Sequence, residues 1–346
     1  MCSGEILGDT MIWFDNKEFD TEITVNPQHV MPVTRYFFLH PNLKLLDEGT
    51  KPEDLPLLEV YKRIAKDKGK PVESYALKRV NKTAATYFDI KKNGFRNVGI
   101  AHGMMVTVKK GGLIRCYEGH NRLCMLHHLG STKPVKAMAR IDPAIKKLAD
   151  VNRRRFYQPV QHPAFTMGSQ PRGGYEDRLK YLTLCLRADK FNSLLDIGCY
   201  TGYYTVMLAK KFNCRATGIE REPLCNEITG GLQDWWSRYY GNIKFIHGDF
   251  LKHPVEKHDV TICLSVLHHY LKQSPKSVIA FVNKIAKVTR KFAIIEVAGV
   301  ESQMKNVKPA PTNEVWEEIF KQTNFKKVEL LKGSPWRRPF FELRKN

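Results

Sequence analysis

A chain of 346 residues exceeds what one hydrophobic core usually serves, and predicts two domains. Its 42% hydrophobic and 26% charged residues exclude a disordered chain, and no apolar run approaches the ~18 residues of a membrane span, so no membrane partner is expected. The net charge of +21 is spread over both halves, +7 in residues 1–150 and +14 in 151–346; it makes nucleic acid a candidate partner and equally describes a lysine-rich surface without one.

The opening MCSGEILGDTMIWFDNKEFD is acidic and lacks the basic-then-apolar order of a signal peptide, which predicts a cytoplasmic protein. Eight cysteines (Cys2, Cys116, Cys124, Cys185, Cys199, Cys214, Cys225, Cys263) contain no CxxC pair and read as reduced thiols packed as small hydrophobes. Neither HExxH nor a His-plus-Cys cluster at ligand spacing occurs, so no metal is expected.

After a turn-rich start, the first half predicts a helix from Leu57 to Lys66 and a segment around Tyr87 to Lys92. A hairpin follows, with strands Met104 to Val108 and Leu113 to Tyr117 about Gly111-Gly112, and then a helix from Asn121 to Leu129. This is an α+β pattern without βαβ repetition. Between Val151 and Glu176, Pro159, Pro163, Pro171 and Gly173-Gly174 interrupt every period. The expected domains are therefore 1–150 and 175–346, with 151–174 a linker or lid. Arg153-Arg154-Arg155 and Arg337-Arg338 are local basic clusters.

From there strands and helices alternate. A helix at Tyr175 to Leu186, a strand at Leu194-Leu195 and a helix at Tyr203 to Phe212 lead into a strand at Ala216 to Glu220, a helical stretch from Pro223 to Tyr239, and strands at Ile243 to His247 and Val260 to Ser265. Next come a helix at Ser277 to Lys287, a strand at Phe292 to Val297, a helix at Thr312 to Thr323, and strands at Lys327 to Leu331 and Phe340 to Leu343. Such alternation predicts an α/β fold, a doubly wound Rossmann-like parallel sheet finished by an antiparallel hairpin.

The first strand of this sheet turns through Asp196-Ile-Gly198-Cys199-Tyr200-Thr-Gly202, where a dinucleotide protein needs G-x-G-x-x-G. An acid at the strand end repels a pyrophosphate and suits a ligand carrying an ammonium group. LLDIGCYTG, followed in order by Glu220 in TGIE, Asp249-Phe250 in FIHGDF and SVLHH from Ser265, resembles the class I S-adenosylmethionine-dependent methyltransferases. The resemblance implies S-adenosylmethionine as cofactor. It assigns the binding turn to Asp196, Gly198, Cys199, Tyr200 and Gly202, the ribose hydroxyls to Glu220, the adenine side to Asp249 and Phe250, and the end of the fourth strand to Ser265. His268 and His269, just past that strand, are positioned either as general base on an acceptor hydroxyl or as capping and packing groups.

Methyl transfer from a sulfonium is an in-line displacement, so acceptor identity should show at the end of the fourth strand. Ser265-Val-Leu-His268 matches neither the [DNS]-P-P-[YFW] of amino-methylating nucleic-acid enzymes nor the Pro-Cys of cytosine C5 enzymes. A hydroxyl or amine on a small molecule, sugar or nucleotide fits better. In GSQPRGGYEDRL, Arg172, Tyr175 and Arg178 are either a contact for an anionic acceptor or part of a solvated linker.

In the first half, LIRCYEGHNRLCMLHHLG carries Glu118-Gly119-His120-Asn-Arg122 at a helix start. It resembles the ParB/sulfiredoxin-like fold, with its [DE]-G-x-x-R signature, over residues 20–145, and PVKAMARI is similar too. Arg122 and the free amides of the helix N-terminus then form a phosphate site with Glu118, Gly119 and His120. Sulfiredoxins need cysteine directly after the glycine, where His120 stands, so their repair chemistry is not expected. Nucleotide binding, kinase activity on a small hydroxy compound, and a degenerate domain that shapes the acceptor pocket all remain open. The sequence thus carries two readings: a methyltransferase acting on oxygen or nitrogen of a small, phosphorylated or glycosyl acceptor, and a nucleotide-dependent nucleic-acid-binding protein whose methyltransferase domain modifies nucleic acid or is inert.

Overall fold

The computed structural model describes residues 19–31, 35–96, 104–152, 158–165, 174–271, 274–297, 311–334 and 338–345. It divides into two compact units, one of residues 1–109 with 114–143, the other of 110–113 with 144–346.

The first unit contains β1 (Thr21–Val25), β2 (Val30–Met31), α1 (Arg35–Asp47), α2 (Leu57–Asp67), α3 (Val72–Asn93), β3 (Met104–Val108), β4 (Ile114–Glu118), α4 (His120–His128) and β5 (Val135–Ile141). Its strands form one sheet in the order β1-β5-β3-β4-β2. β1 runs antiparallel to β5, β3 antiparallel to β4, and β3 and β2 run parallel to β5 and β4 respectively. Alternation fixes the buried face: Ile23 and Val25 of β1 and Val135, Ala137 and Ala139 of β5 point inward.

Two helices here correct the reading of a turn-rich start and of an isolated segment at Tyr87 to Lys92. Pro41 punctuates α1, yet the helix continues because the carbonyl that Pro41 leaves without its helical donor belongs to Phe37, which is 76% exposed and open to water. The Asn42 side chain also donates to the next carbonyl, Phe38 O, at 2.7 Å. Leu39, Leu43 and Leu46 bury the inner face. α3 runs for 22 residues and encloses the whole Tyr87 to Lys92 segment. Its buried stripe of Ala76, Val80, Thr83, Ala84, Tyr87 and Ile90 has helical spacing, but small and hydroxylic side chains make it faint in sequence.

Besides residues 110–113, the second unit holds α5 (Pro143–Asn152) from its second residue on and α6 (Tyr175–Leu186), and then alternates: β6 (Ser193–Ile197), α7 (Tyr203–Phe212), β7 (Arg215–Glu220), α8 (Pro223–Tyr240), β8 (Ile243–His247), β9 (His258–Leu264), α9 (Leu267–Leu271), α10 (Pro275–Val288), β10 (Thr289–Glu296), α11 (Asn313–Lys321), β11 (Lys327–Leu331) and β12 (Phe340–Arg344). The seven strands lie in the order β11-β12-β10-β9-β6-β7-β8. β8, β7, β6, β9 and β10 are parallel, β12 is antiparallel to β10, and β11 is antiparallel to β12. This mixed α/β architecture is Rossmann-like.

All five residues of β6 are buried because the strand is central, with β7 on one side and β9 on the other. Chain order reverses there, and at such a switch point the crevice opens beyond the carboxyl ends of the strands. Beneath it, Leu195, Cys263 and Ile295 pack against Phe281, Ile285, Trp316 and Phe320 of α10 and α11.

Candidate functional site

The turn after β6 is held to β7 by Gly198 N–H and Cys199 N–H, which both donate to Ile219 O, at 2.9 and 3.2 Å. Gly198 has φ +72°, and a Cβ there would stand 2.5 Å from Val266 Cγ2; Gly202 has φ +79°, and its Cβ would meet Phe245 at 2.7 Å. Both positions therefore require glycine, for conformation and for space. Tyr200 adopts φ +54° without that freedom. Its N–H donates to Glu220 Oε2 at 3.0 Å, while Arg221 and Glu222 N–H donate to Glu220 Oε1 at 2.7 and 2.9 Å. Three backbone amides thus aim this carboxylate: two fill the acceptor sites of Oε1, and one leaves Oε2 a lone pair for a ligand.

Beyond β8, Asp249 Oδ1 accepts from Leu251 N–H at 2.8 Å in a tight turn, and Gly248 N–H ties that turn to Glu220 O at 2.8 Å. At the end of β9, Ser265 has φ +58°. Ser265 Oγ donates to Glu296 Oε2 at 2.5 Å and accepts from Arg338 Nη1 at 2.6 Å. Glu296 is fully buried at the end of β10, and its Oε1 lies 3.1 Å from Arg178 Nη2 of α6.

These strand ends enclose a cavity of about 270 Å³. Of the residues expected at the site, Gly198, Tyr200, Glu220, Asp249, Phe250, Ser265 and His269 line it. Asp196, Cys199, Gly202 and His268 are not among its lining residues: Asp196 is 2% exposed and accepts from Thr205 Oγ1 at 2.6 Å, and Cys199 packs against Gly218. Burial pushes the Asp196 carboxyl up to about 7; the Thr205 hydrogen bond opposes this, and the nearby Glu220 charge adds to it. Burial likewise pushes the Cys199 thiol well up, which makes it inert. Sequence reading missed Arg221, directly after Glu220, and an aromatic wall of Tyr270 and Phe281 whose rings lie 4.3 Å apart. The run LHHY signals Tyr270 alone, and Phe281 comes from α10.

Of the proposed anion contacts, Arg178 is buried against Glu296, Tyr175 packs edge-on to Tyr203 with ring centroids 5.3 Å apart, and Arg172 lies outside the described residues, as do Arg153 to Arg155 and Arg337. In the first unit, Glu118 ends β4, Gly119 caps α4 at φ +90°, and His120 and Arg122 stand half-buried in its first turn. Nearby sequence also hides a polar chain that no motif announced. Tyr87 Oη and Lys91 Nζ both donate to Asp47 Oδ1 at 2.6 Å, His128 Nε2 lies 2.8 Å from Asp47 Oδ2, and His128 Nδ1 lies 2.9 Å from His40 Nδ1. Burial raises the Asp47 carboxyl, but the hydrogen bonds from Lys91, Tyr87 and His128 outweigh it and hold the group well below the usual carboxylate range.

The cavity wall presents two carboxylates, Glu220 and Asp249, and one guanidinium, Arg221, which disfavours a pyrophosphate and suits a nucleoside ligand of net positive charge. The missing side chain at Gly198 keeps the cleft open beside Val266. These residues fit S-adenosylmethionine, and fold and site together define an S-adenosylmethionine-dependent methyltransferase, an enzyme that takes S-adenosylmethionine as its cofactor. Residues 194–291 match the family model described as a methyltransferase domain.

A search of curated proteins by sequence returns no match. Among solved structures, the chain is similar to magnesium protoporphyrin IX methyltransferase from Synechocystis PCC 6803 with bound SAM, at 18% identity over 49% of this chain and 77% of that one, TM-score 0.37. It is similar to WbdD, a bifunctional kinase-methyltransferase, in a complex with a kinase inhibitor, at 22% identity over 58% of this chain and 47% of that one, TM-score 0.47. It is also similar to the N-methyltransferase NodS from Bradyrhizobium japonicum WM9, at 19% identity over 49% and 94%, TM-score 0.38. No helix among the described residues is long and apolar enough to cross a membrane, and no group of three or more His, Cys, Asp or Glu among them could hold a metal ion.

Proposed function

We propose that the second unit transfers a methyl group to an oxygen or nitrogen of a small acceptor, phosphorylated or glycosyl in kind. The observation that carries this reading is the order of side chains across the cavity. Glu220 and Asp249 stand at the ends of β7 and just beyond β8, and Ser265 and His269 follow β9 on the other side of β6. Glu220 would hold the ribose hydroxyls and Asp249 with Phe250 the adenine, which directs the methionine end of the cofactor toward β9. The bound cofactor supplies an electrophilic methyl on a sulfonium. The protein's part is to align the acceptor and, for a hydroxyl, to remove its proton, a role for which His269 on the cavity wall is better placed than His268.

The first unit, in the same reading, is a ParB/sulfiredoxin-like domain. The passage of β4 through Gly119 into α4 supports it, with Arg122 and the α4 amides as a phosphate or nucleotide site. No disulfide joins the seven described cysteines, six of which are buried, and this supports a reducing compartment such as the cytoplasm. The charge of +21 favours one rival, a nucleic-acid acceptor. Retention on DNA or RNA that falls steeply with salt would support the rival.

Calorimetric titration with S-adenosylmethionine tests the main reading. Saturable binding by wild-type protein and its loss in Glu220→Ala is the expected result; a folded wild-type protein that takes up no cofactor refutes it.

A further inference from the structure

The polar cluster above the ends of β9 and β10 holds two guanidinium groups and one carboxylate. Glu296, fully buried, is shared between Arg178 and the hydroxyl of Ser265. Arg178 is thereby neutralised, and its guanidinium also lies 5.8 Å over the Tyr204 ring. Arg338 is placed differently. Its guanidinium makes one hydrogen bond among the described residues, to Ser265 Oγ, and within that set no carboxylate lies within ion-pair distance of it. It is half-buried, so water compensates its charge only in part.

Position gives this excess charge a meaning. The nucleoside side of the cavity is the β7 and β8 side, marked by Glu220 and Asp249, so an acceptor must approach from the β9 and β10 side. Ser265, the residue that pins Arg338, is part of the cavity wall on that side. Ser265 also holds φ +58°, a conformation that carries a cost for a residue with a side chain. That cost is borne where the hydroxyl must face Glu296 and Arg338 at once. The hydroxyl orients one edge of the guanidinium and leaves the remaining N–H groups in a planar fork, the geometry that matches an oxyanion.

We infer that Arg338, oriented by the Ser265–Glu296–Arg178 chain, is the anchor for an oxyanion of the methyl acceptor, a carboxylate or a phosphate monoester. This rests on the methyltransferase reading for the acceptor's identity, but not for the presence of the anion site. Arg338 acts as a specificity residue: it selects charged acceptors over neutral ones of the same shape.

The test is titration of full-length protein, saturated with S-adenosylhomocysteine, with inorganic phosphate and separately with acetate at constant ionic strength. Wild-type protein should bind at least one of them saturably: phosphate if the acceptor is a phosphoester, acetate if it is a carboxylate. Arg338→Gln should weaken that binding at least tenfold, and Arg338→Lys, which keeps charge but loses the fork, by less. The surface control Lys211→Gln should leave it unchanged, and S-adenosylhomocysteine affinity should be the same in every variant. Equal anion binding by wild type and Arg338→Gln, or no saturable binding of either anion, overturns the anchor. Failure of wild-type protein to bind S-adenosylhomocysteine overturns the methyltransferase reading instead, and the anion titration without it still decides the anchor.

Discussion

Asp196 is a carboxyl group that the fold makes expensive to ionise. Folded, it titrates at about 7, against 3.8 for the free group, because it is buried at the end of β6 with one hydroxyl donor. Between those two values the folded chain binds a proton that the unfolded chain has released, so stability falls as pH rises through that window and is flat above it. A difference of about 3 units corresponds to roughly 4 kcal/mol in the limit of high pH. About 2 kcal/mol of that is lost between pH 5.5 and pH 8. Asp196→Asn keeps the acceptor for Thr205 and cannot ionise, so it should stabilise the cofactor-free protein more at pH 8 than at pH 5.5, by that same ~2 kcal/mol. Urea unfolding followed by tryptophan fluorescence measures this, since Trp235, Trp236 and Trp316 are all buried in the second unit. The same substitution should weaken binding of the cationic cofactor and abolish its rise in affinity as pH passes 7. A stability difference identical at the two pH values would refute the reasoning.

Three other substitutions probe different links. Gly202→Ala forces a Cβ to within 2.7 Å of Phe245 at φ +79° and should cost about 2–4 kcal/mol in urea unfolding, from backbone strain plus overpacking. Ser265→Ala removes the hydroxyl shared by Glu296 and Arg338; a loss of about 1–3 kcal/mol is expected, with Glu296 left short of a donor, and unchanged stability would mean that the cluster rearranges freely. Asp47→Asn should raise hydrogen exchange in α4 at pH 7 by an amount equivalent to roughly 2 kcal/mol. Its carboxyl is depressed in the folded state, so it stabilises above the unfolded value of 3.8 and the effect is lost as pH falls through the folded value; the gap between variant and wild type should therefore close below pH 4.

Much of the second unit was legible because its signals are local. Apolar runs bounded by turn residues placed β8, β11, α6 and α7 at their observed ends and the other predicted elements within a few residues, while α5 and the five-residue α9 went unpredicted. The glycine turn could be read because Gly198 and Gly202 are required by backbone conformation within five residues. Motif order then identified Glu220, Asp249 and Ser265 as neighbours before any fold was known, since the carboxyl ends of parallel strands share one edge. In the first unit the same local logic found the hairpin and α4 but missed α1 and most of α3, where a proline and a stripe of small residues hide the period.

What tertiary structure alone decided is where side chains point and what they meet. Asp196 belongs to the motif yet turns away from the cavity toward Thr205, and Arg178, a candidate for the acceptor, is taken by Glu296 from a strand 118 positions later in the chain. Ser265 and Arg338 are 73 residues apart, and His128 reaches Asp47 across 81. Periodicity and turn chemistry are set by the nearest few residues and survive in the sequence. The pairing of polar groups depends on packing between distant elements, and it is that pairing that sets their charge and their use.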